Sequence, residues 1–105
     1  MIQLESVEQF NELIRDKCIV MFTANWCGDC RFIEPHLPEI ANAHPDYPFV
    51  LVDRDKFIDI CQKYDIMGIP SFIVFENNEV KGTFISKLRK TKEEILAFLD
   101  QTINQ

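Results

Sequence analysis

The stretch CIVMFTANWCGDC, Cys18 to Cys30, decides the fold. Its first half, Cys18 to Ala24, is apolar and rich in β-branched residues, and it reads as a buried strand. In the second half two thiols, Cys27 and Cys30, stand at i and i+3, and the residues after Cys27 have helical periodicity. The pair therefore sits where a strand runs into a helix. Unpaired backbone N–H groups and the positive end of the helix dipole favour a thiolate at Cys27 there, the form that attacks disulfides.

Downstream, a helix is predicted from Cys27 to about Ala43, with Cys30, Ile33, Leu37, Ile40 and Ala41 on one face and a kink at Pro35. Cys30 then faces inward and Cys27 stands at the exposed tip. Upstream, Ile2 to Leu4 reads as a short strand, and Ser6 and Gln9 have capping-box spacing for a helix with a buried stripe of Val7, Phe10, Leu13 and Ile14. Beyond the turn-rich segment His44 to Pro48, Phe49 to Asp53 is a second buried strand, and Phe57, Ile60, Cys61 and Tyr64 stripe a short helix. Ser71 to Phe75 and Val80 to Ile85 are strands joined by a hairpin at Glu76 to Glu79. Thr91 and Glu94 cap a last helix that turns Ile95, Leu96, Leu99 and Ile103 inward. Parallel strands first, then an antiparallel hairpin, with helices on both faces, predict an α/β domain around a central mixed sheet.

A chain of 105 residues suits a single domain, 1–105. Its start has no basic and apolar leader pattern, and no apolar run approaches the roughly 20 residues that span a bilayer, so a cytoplasmic protein with reduced thiols is expected. A formal charge of −6 repels phosphate backbones and anionic lipid, which argues against nucleic acid and membrane surfaces as partners. A metal site is not expected either. No second Cys-x-x-Cys exists, His36 lies on another face of its helix, and His44 begins a turn. Cys18 and Cys61 lie on apolar stripes and read as core cysteines. The basic residues Lys87, Arg89, Lys90 and Lys92 read as a solvated loop before the last helix.

Three features together, WCGDC after a buried strand, Pro35 five residues past Cys30, and Gly68-Ile69-Pro70-Ser71 ahead of the hairpin, make the chain resemble the thioredoxin family over essentially its whole length. The resemblance implies a thioredoxin fold and a thiol-disulfide oxidoreductase that reduces protein disulfides and needs no cofactor. Cys27 is then the nucleophile and Cys30 the resolving thiol. Pro70 is expected to be cis and beside the pair, with Ile69 and Pro70 a shelf for substrate and Trp26 a wall beside it. Implied partners are disulfide-containing proteins and a reductase or small-thiol electron donor, with the chain itself a monomer. Asp29, where the family commonly has proline, is expected to tune the nucleophile, because its carboxylate lies in the same helical turn and opposes the thiolate. Met21 and Phe49 stand where the family has a buried aspartate and its lysine neighbour, so that acid/base pair is expected to be missing. Ser86 replaces a glycine, which predicts a narrower groove. Two other readings remain open: a reductase of mixed disulfides with low-molecular-weight thiols, and an interaction module whose redox activity is incidental.

Overall fold

Strand β2 (Lys17–Thr23) runs through the middle of a five-stranded sheet ordered β1-β3-β2-β4-β5, and its stretch Cys18 to Phe22 is wholly buried. The computed structural model describes residues 1–104. β1 (Ile2–Gln3) and β2 both pair parallel to β3 (Phe49–Asp53), while β4 (Ser71–Glu76) runs antiparallel to β2, and β5 (Glu79–Phe84) antiparallel to β4. The mixed sheet is the one the sequence predicts, with strand ends displaced by a residue at Leu4, Glu76, Glu79 and Ile85.

Alternation along the two central strands divides the core between the faces. Cys18, Val20 and Phe22 of β2 and Ile73 and Phe75 of β4 pack with Phe10 and Ile14 of α1 (Val7–Arg15) and Ile60 and Cys61 of α4 (Ile58–Lys63). On the other face Ile19, Met21, Phe72 and Val74 meet Ile33 of α2 (Gly28–Ile33), Leu37 and Ile40 of α3 (Leu37–Asn42), and Ile95 and Leu99 of α5 (Lys92–Ile103). The hairpin between β4 and β5 turns on Asn77 and Asn78 at φ 55° and 68°, a left-handed pair that asparagine tolerates.

Three local expectations change. The helix predicted from Cys27 to Ala43 is divided into α2, a 3-10 turn at Glu34–His36 and α3, because Pro35 supplies no N–H and closes its own tighter turn. Val7 is exposed rather than inward: it opens α1, where the first turn has not yet reached the sheet. Ser6 Oγ accepts from Gln9 N at 3.0 Å, but Gln9 Oε1 accepts from Glu5 N at 2.7 Å, one residue outside the usual box. The box at Thr91 and Glu94 closes in both directions.

Burial pushes the Cys18 thiol from 9.0 up to about 12, with Asp16 adding to the shift, and the Cys30 thiol up to about 11. A thiol whose folded value is raised keeps a proton that the unfolded chain gives up, so stability is intact below about pH 9 and falls as pH climbs toward 11 to 12. The loss is about 1.4 kcal/mol per pH unit for each such thiol. Cys18→Ala should cost about 1 kcal/mol at pH 7 yet show a shallower alkaline decline. Urea midpoints of both proteins at pH 7 and 10.5 test this, and an equally steep decline in the variant contradicts it.

Candidate active site

β2 delivers the chain to the site. It ends at Thr23, Cys27 N donates to Ala24 O at 3.2 Å to close a turn, and Cys27 becomes the N-cap of α2. In that place Cys30 N donates to Cys27 Sγ at 3.2 Å, a contact that strengthens as the sulfur becomes anionic. Cys27 is not the exposed tip that the sequence suggests. Only 6 % of it is accessible, since it packs with Ala24, Cys30 and Ile69, and its thiol donates to Ile69 O at 3.6 Å. It is nevertheless reachable, because it lines an open cleft of about 430 Å³ with Trp26, Gly28 and Ile69. Cys30 lies beneath it at 0 % accessibility. Burial raises the Cys30 thiol first and the hydrogen bond with Cys27 next, against smaller opposing contributions from Thr23 and the Ala24 backbone.

The second wall comes from the loop before β4. The Ile69–Pro70 bond is cis, Pro70 is buried, and Ser71 Oγ donates to Gly68 O across the turn. Gly68 is required by close approach: a Cβ there would meet Lys87 Cα at 2.8 Å. The structure thus packs Ile69 against Cys27 and Cys30, with Pro70 the next residue along the chain. Met21 is buried among Ile33, Phe72 and other apolar residues, and no carboxylate is among the groups that shift Cys30.

Trp26 is 60 % exposed and held from outside the motif. Its Nε1 donates to Asp55 Oδ2 at 2.9 Å, and the Arg54 guanidinium lies 5.8 Å from its ring centre. Asp53 shapes that loop by accepting from Asp55 N at 2.8 Å and Lys56 N at 3.3 Å. Sequence reasoning missed Arg54 and Asp55. The available signal was β3 itself, whose parallel pairing with β2 puts both carboxyl ends on one edge, where α/β sheets place their sites.

Of the four basic residues before and at the start of α5, Lys87 and Arg89 are exposed as expected, but Lys90 is buried and Lys92 half-buried, so the segment is not simply a solvated loop. Arg89 Nε donates to Asp29 Oδ1 at 2.9 Å, and its guanidinium lies 4.4 Å from the Phe32 ring centre. Lys90 is 1 % exposed, with Nζ donating to Ser86 O at 3.0 Å and Leu88 O at 3.2 Å. Lys92 pairs with Glu39 at 3.3 Å, and Lys87 lines the cleft. His44 is 2.8 Å from Asp100, and the described residues hold no group of three or more His, Cys, Asp or Glu placed for a metal. Among them no helix is long and apolar enough to cross a membrane.

The thioredoxin family model matches residues 1–101. The chain belongs to the thioredoxin family. It is 34 % identical to thioredoxin H3 of Arabidopsis thaliana over 94 % of its own length and 78 % of that protein, and 36 % identical to the thioredoxin of Mycoplasma genitalium over 86 % and 90 %. The crystal structure of thioredoxin from Trypanosoma brucei brucei superposes with a TM-score of 0.87 at 28 % identity, covering all of this chain and 92 % of that one. Thioredoxins are disulfide oxidoreductases, and with its Cys27–Cys30 pair this chain is a thiol-disulfide oxidoreductase.

Pairing changes what Asp29 does in a thioredoxin site. The two side chains are 56 % and 33 % exposed, so the ion pair adds about 0.2 to 1 kcal/mol of stability at most. Its larger consequence is that Cys27 faces a neutralised carboxylate rather than a free one. Asp29→Asn, which leaves the Arg89 cation unpaired, should therefore speed Cys27 alkylation by iodoacetamide at pH 7 about 3-fold at low salt, whereas Arg89→Ala, which frees the carboxylate, should slow it by a similar factor. The double variant should recover the original rate. An Arg89→Ala rate equal to the unsubstituted protein's rules this account out.

Proposed function

We propose that the chain reduces disulfides in proteins by a cycle in which Cys27 attacks and Cys30 resolves. One observation carries the reading: Cys27 lines the open cleft while Cys30, whose backbone N–H donates a hydrogen bond to Cys27 Sγ, is closed to solvent. Cys27 thiolate attacks one sulfur of the substrate disulfide, forming a mixed disulfide and expelling the other sulfur as a thiolate that takes up a proton. Cys30 then gives up its proton, and its thiolate attacks Cys27 Sγ. The substrate's remaining sulfur leaves as a thiolate, the Cys27–Cys30 disulfide forms, and two electrons have passed to the substrate. Proximity drives the second step, since the resolving thiol is held at high effective concentration.

Ile69 and Pro70 are the shelf on which the substrate backbone lies, in the reading proposed here, and Trp26 is the wall that the Asp55 contact steadies. The Ile69 carbonyl, which accepts from the Cys27 thiol in the reduced chain, is released once that sulfur is bonded to substrate. A reductase or small thiol returns the pair to the dithiol, in a compartment such as the cytoplasm that keeps thiols reduced.

Cys30→Ser should leave substrates covalently attached at Cys27, and Cys27→Ser should form no adduct; intact-mass spectra after mixing each variant with a disulfide-bonded protein distinguish the two. Adducts on Cys30 at an undiminished rate overturn the assignment.

A second expectation concerns pH. With Cys30 pushed up to about 11 and no carboxylate acting on it, the thiolate fraction rises tenfold per pH unit through neutrality. Release of the mixed disulfide, followed by rapid quench, should accelerate about 10-fold per unit from pH 6 to 9. A plateau in that range that disappears when an Asp or Glu is replaced shows that a buried acid serves the step after all.

A further inference from the structure

The segment Ser86 to Thr91 is a strap between β5 and α5 that touches both walls of the cleft. Its Ser86–Lys87 backbone is pressed against Gly68 of the cis-proline loop, and its Arg89 is bound to Asp29 and laid on Phe32 of α2. Lys90, a buried cation, bonds the carbonyls of Ser86 and Leu88, the residues on either side of Lys87. The backbone of Lys87 is thereby fixed from inside the protein, while its side chain is exposed, lines the cleft and makes no ion pair among the described residues.

Charge at the cleft then runs opposite to charge on the whole. The chain carries −6. At the mouth, Asp29 is cancelled by Arg89, Asp55 is drawn toward Trp26 and Arg54, and Lys87 is left over, with Lys90 fixed behind it. Charges farther off than about 8 Å are screened at physiological ionic strength, so a substrate residue inside the cleft responds to this rim rather than to the distant acidic surface.

We propose that Lys87, presented by this strap together with Arg54 at the mouth of the Cys27 cleft, selects disulfide-bonded peptides that carry a carboxylate next to the cysteine under attack. The inference rests on the assignment of Cys27 as nucleophile. Lys87 acts through the substrate's neighbouring side chain, not on the reacting sulfurs.

The sign of the effect makes the test discriminating, because net charge alone favours basic peptides. Three disulfide-bonded peptides that differ only in Glu, Gln or Lys beside the attacked cysteine are mixed in excess with the pre-reduced protein at pH 7 and 0.15 M salt. Oxidation in a single turnover is followed through the fluorescence of the one tryptophan, Trp26. One unit charge at about 7 Å from Lys87 in a wet rim changes the rate about 3-fold. The Glu peptide should therefore react about 10-fold faster than the Lys peptide, and 1 M salt should bring the ratio toward unity. Lys87→Gln should bring the ratio down about 10-fold, close to unity, Lys87→Arg should keep it, and Lys87→Glu should invert it. Comparing two peptides on the same variant removes any general change in activity. Equal rates for all peptides or a faster Lys peptide with the unsubstituted protein, or a ratio indifferent to the Lys87 variants, overturns the selection while leaving the nucleophile assignment intact. Failure of every peptide to oxidise the unsubstituted protein overturns the assignment itself, and this inference with it.

Discussion

Antiparallel pairing of β4 against β2, with Ser71 opposite Phe22, is the constraint on which the site depends. β2 leaves the sheet at Thr23 and reaches Cys27 after three more residues and a closed turn, while β4 enters the sheet at Ser71, immediately after Pro70. Only the antiparallel sense puts the exit of one strand and the entrance of the other on the same edge. The parallel partner β3 adds a third element there, since Thr23 lies opposite Asp53 and Arg54 N donates to Thr23 O at 2.8 Å. Three segments distant in sequence are thus brought to one sheet edge by backbone pairing, and burial of β2 on both faces fixes the register. A slip of one residue would exchange Val20 and Phe22 with Met21, turning every side chain to the opposite layer.

What backbone pairing assembles, side chains from two loops then finish. Asp55 holds Trp26, and Arg89 holds Asp29, so these two residues beside Cys27 each have a partner outside the Cys-x-x-Cys motif. These exposed pairs contribute little to stability, of the order of a surface ion pair. They decide instead which charges meet a substrate. The strap of Ser86 to Thr91 is the more costly device, because it buries the Lys90 ammonium. Burial lowers its pKa, while the negative charges near it, Asp29 first, act to raise it. Desolvation of a lysine is tolerable only where its protons are bonded, and here the Ser86 and Leu88 carbonyls meet that need.

Much of this fold was legible in the sequence because it is written locally: continuous apolar runs in β2 and β4, the turn asparagines, and the Thr91–Glu94 box all carry their reason within a few residues. So does the Cys27–Cys30 pair at its strand-to-helix junction. What was not legible is long-range and polar. Asp29 meets Arg89 across 60 positions and Trp26 meets Asp55 across 29, and no spacing rule links residues on separate loops. Cys27 misled for the same reason: helix position alone makes it a tip, but Ile69, brought by another strand, covers it. The basic segment was read from charge density as solvated, although only contacts with α2 and the β5 end could show that Lys90 turns inward.

Burial of the resolving thiol has a consequence for direction as well as rate. In the proposed cycle, a Cys30 held as the neutral thiol does not compete with Cys27 for an incoming disulfide, so the order of attack is set by accessibility and protonation together. Release then waits on removal of one proton in a place where no carboxylate acts on the thiol. The expelled substrate thiolate is the base generated nearest to the site at that moment, and it is generated only after the first attack has succeeded. Coupling the second step to the product of the first in this way lets a site without an internal acid/base pair complete the exchange.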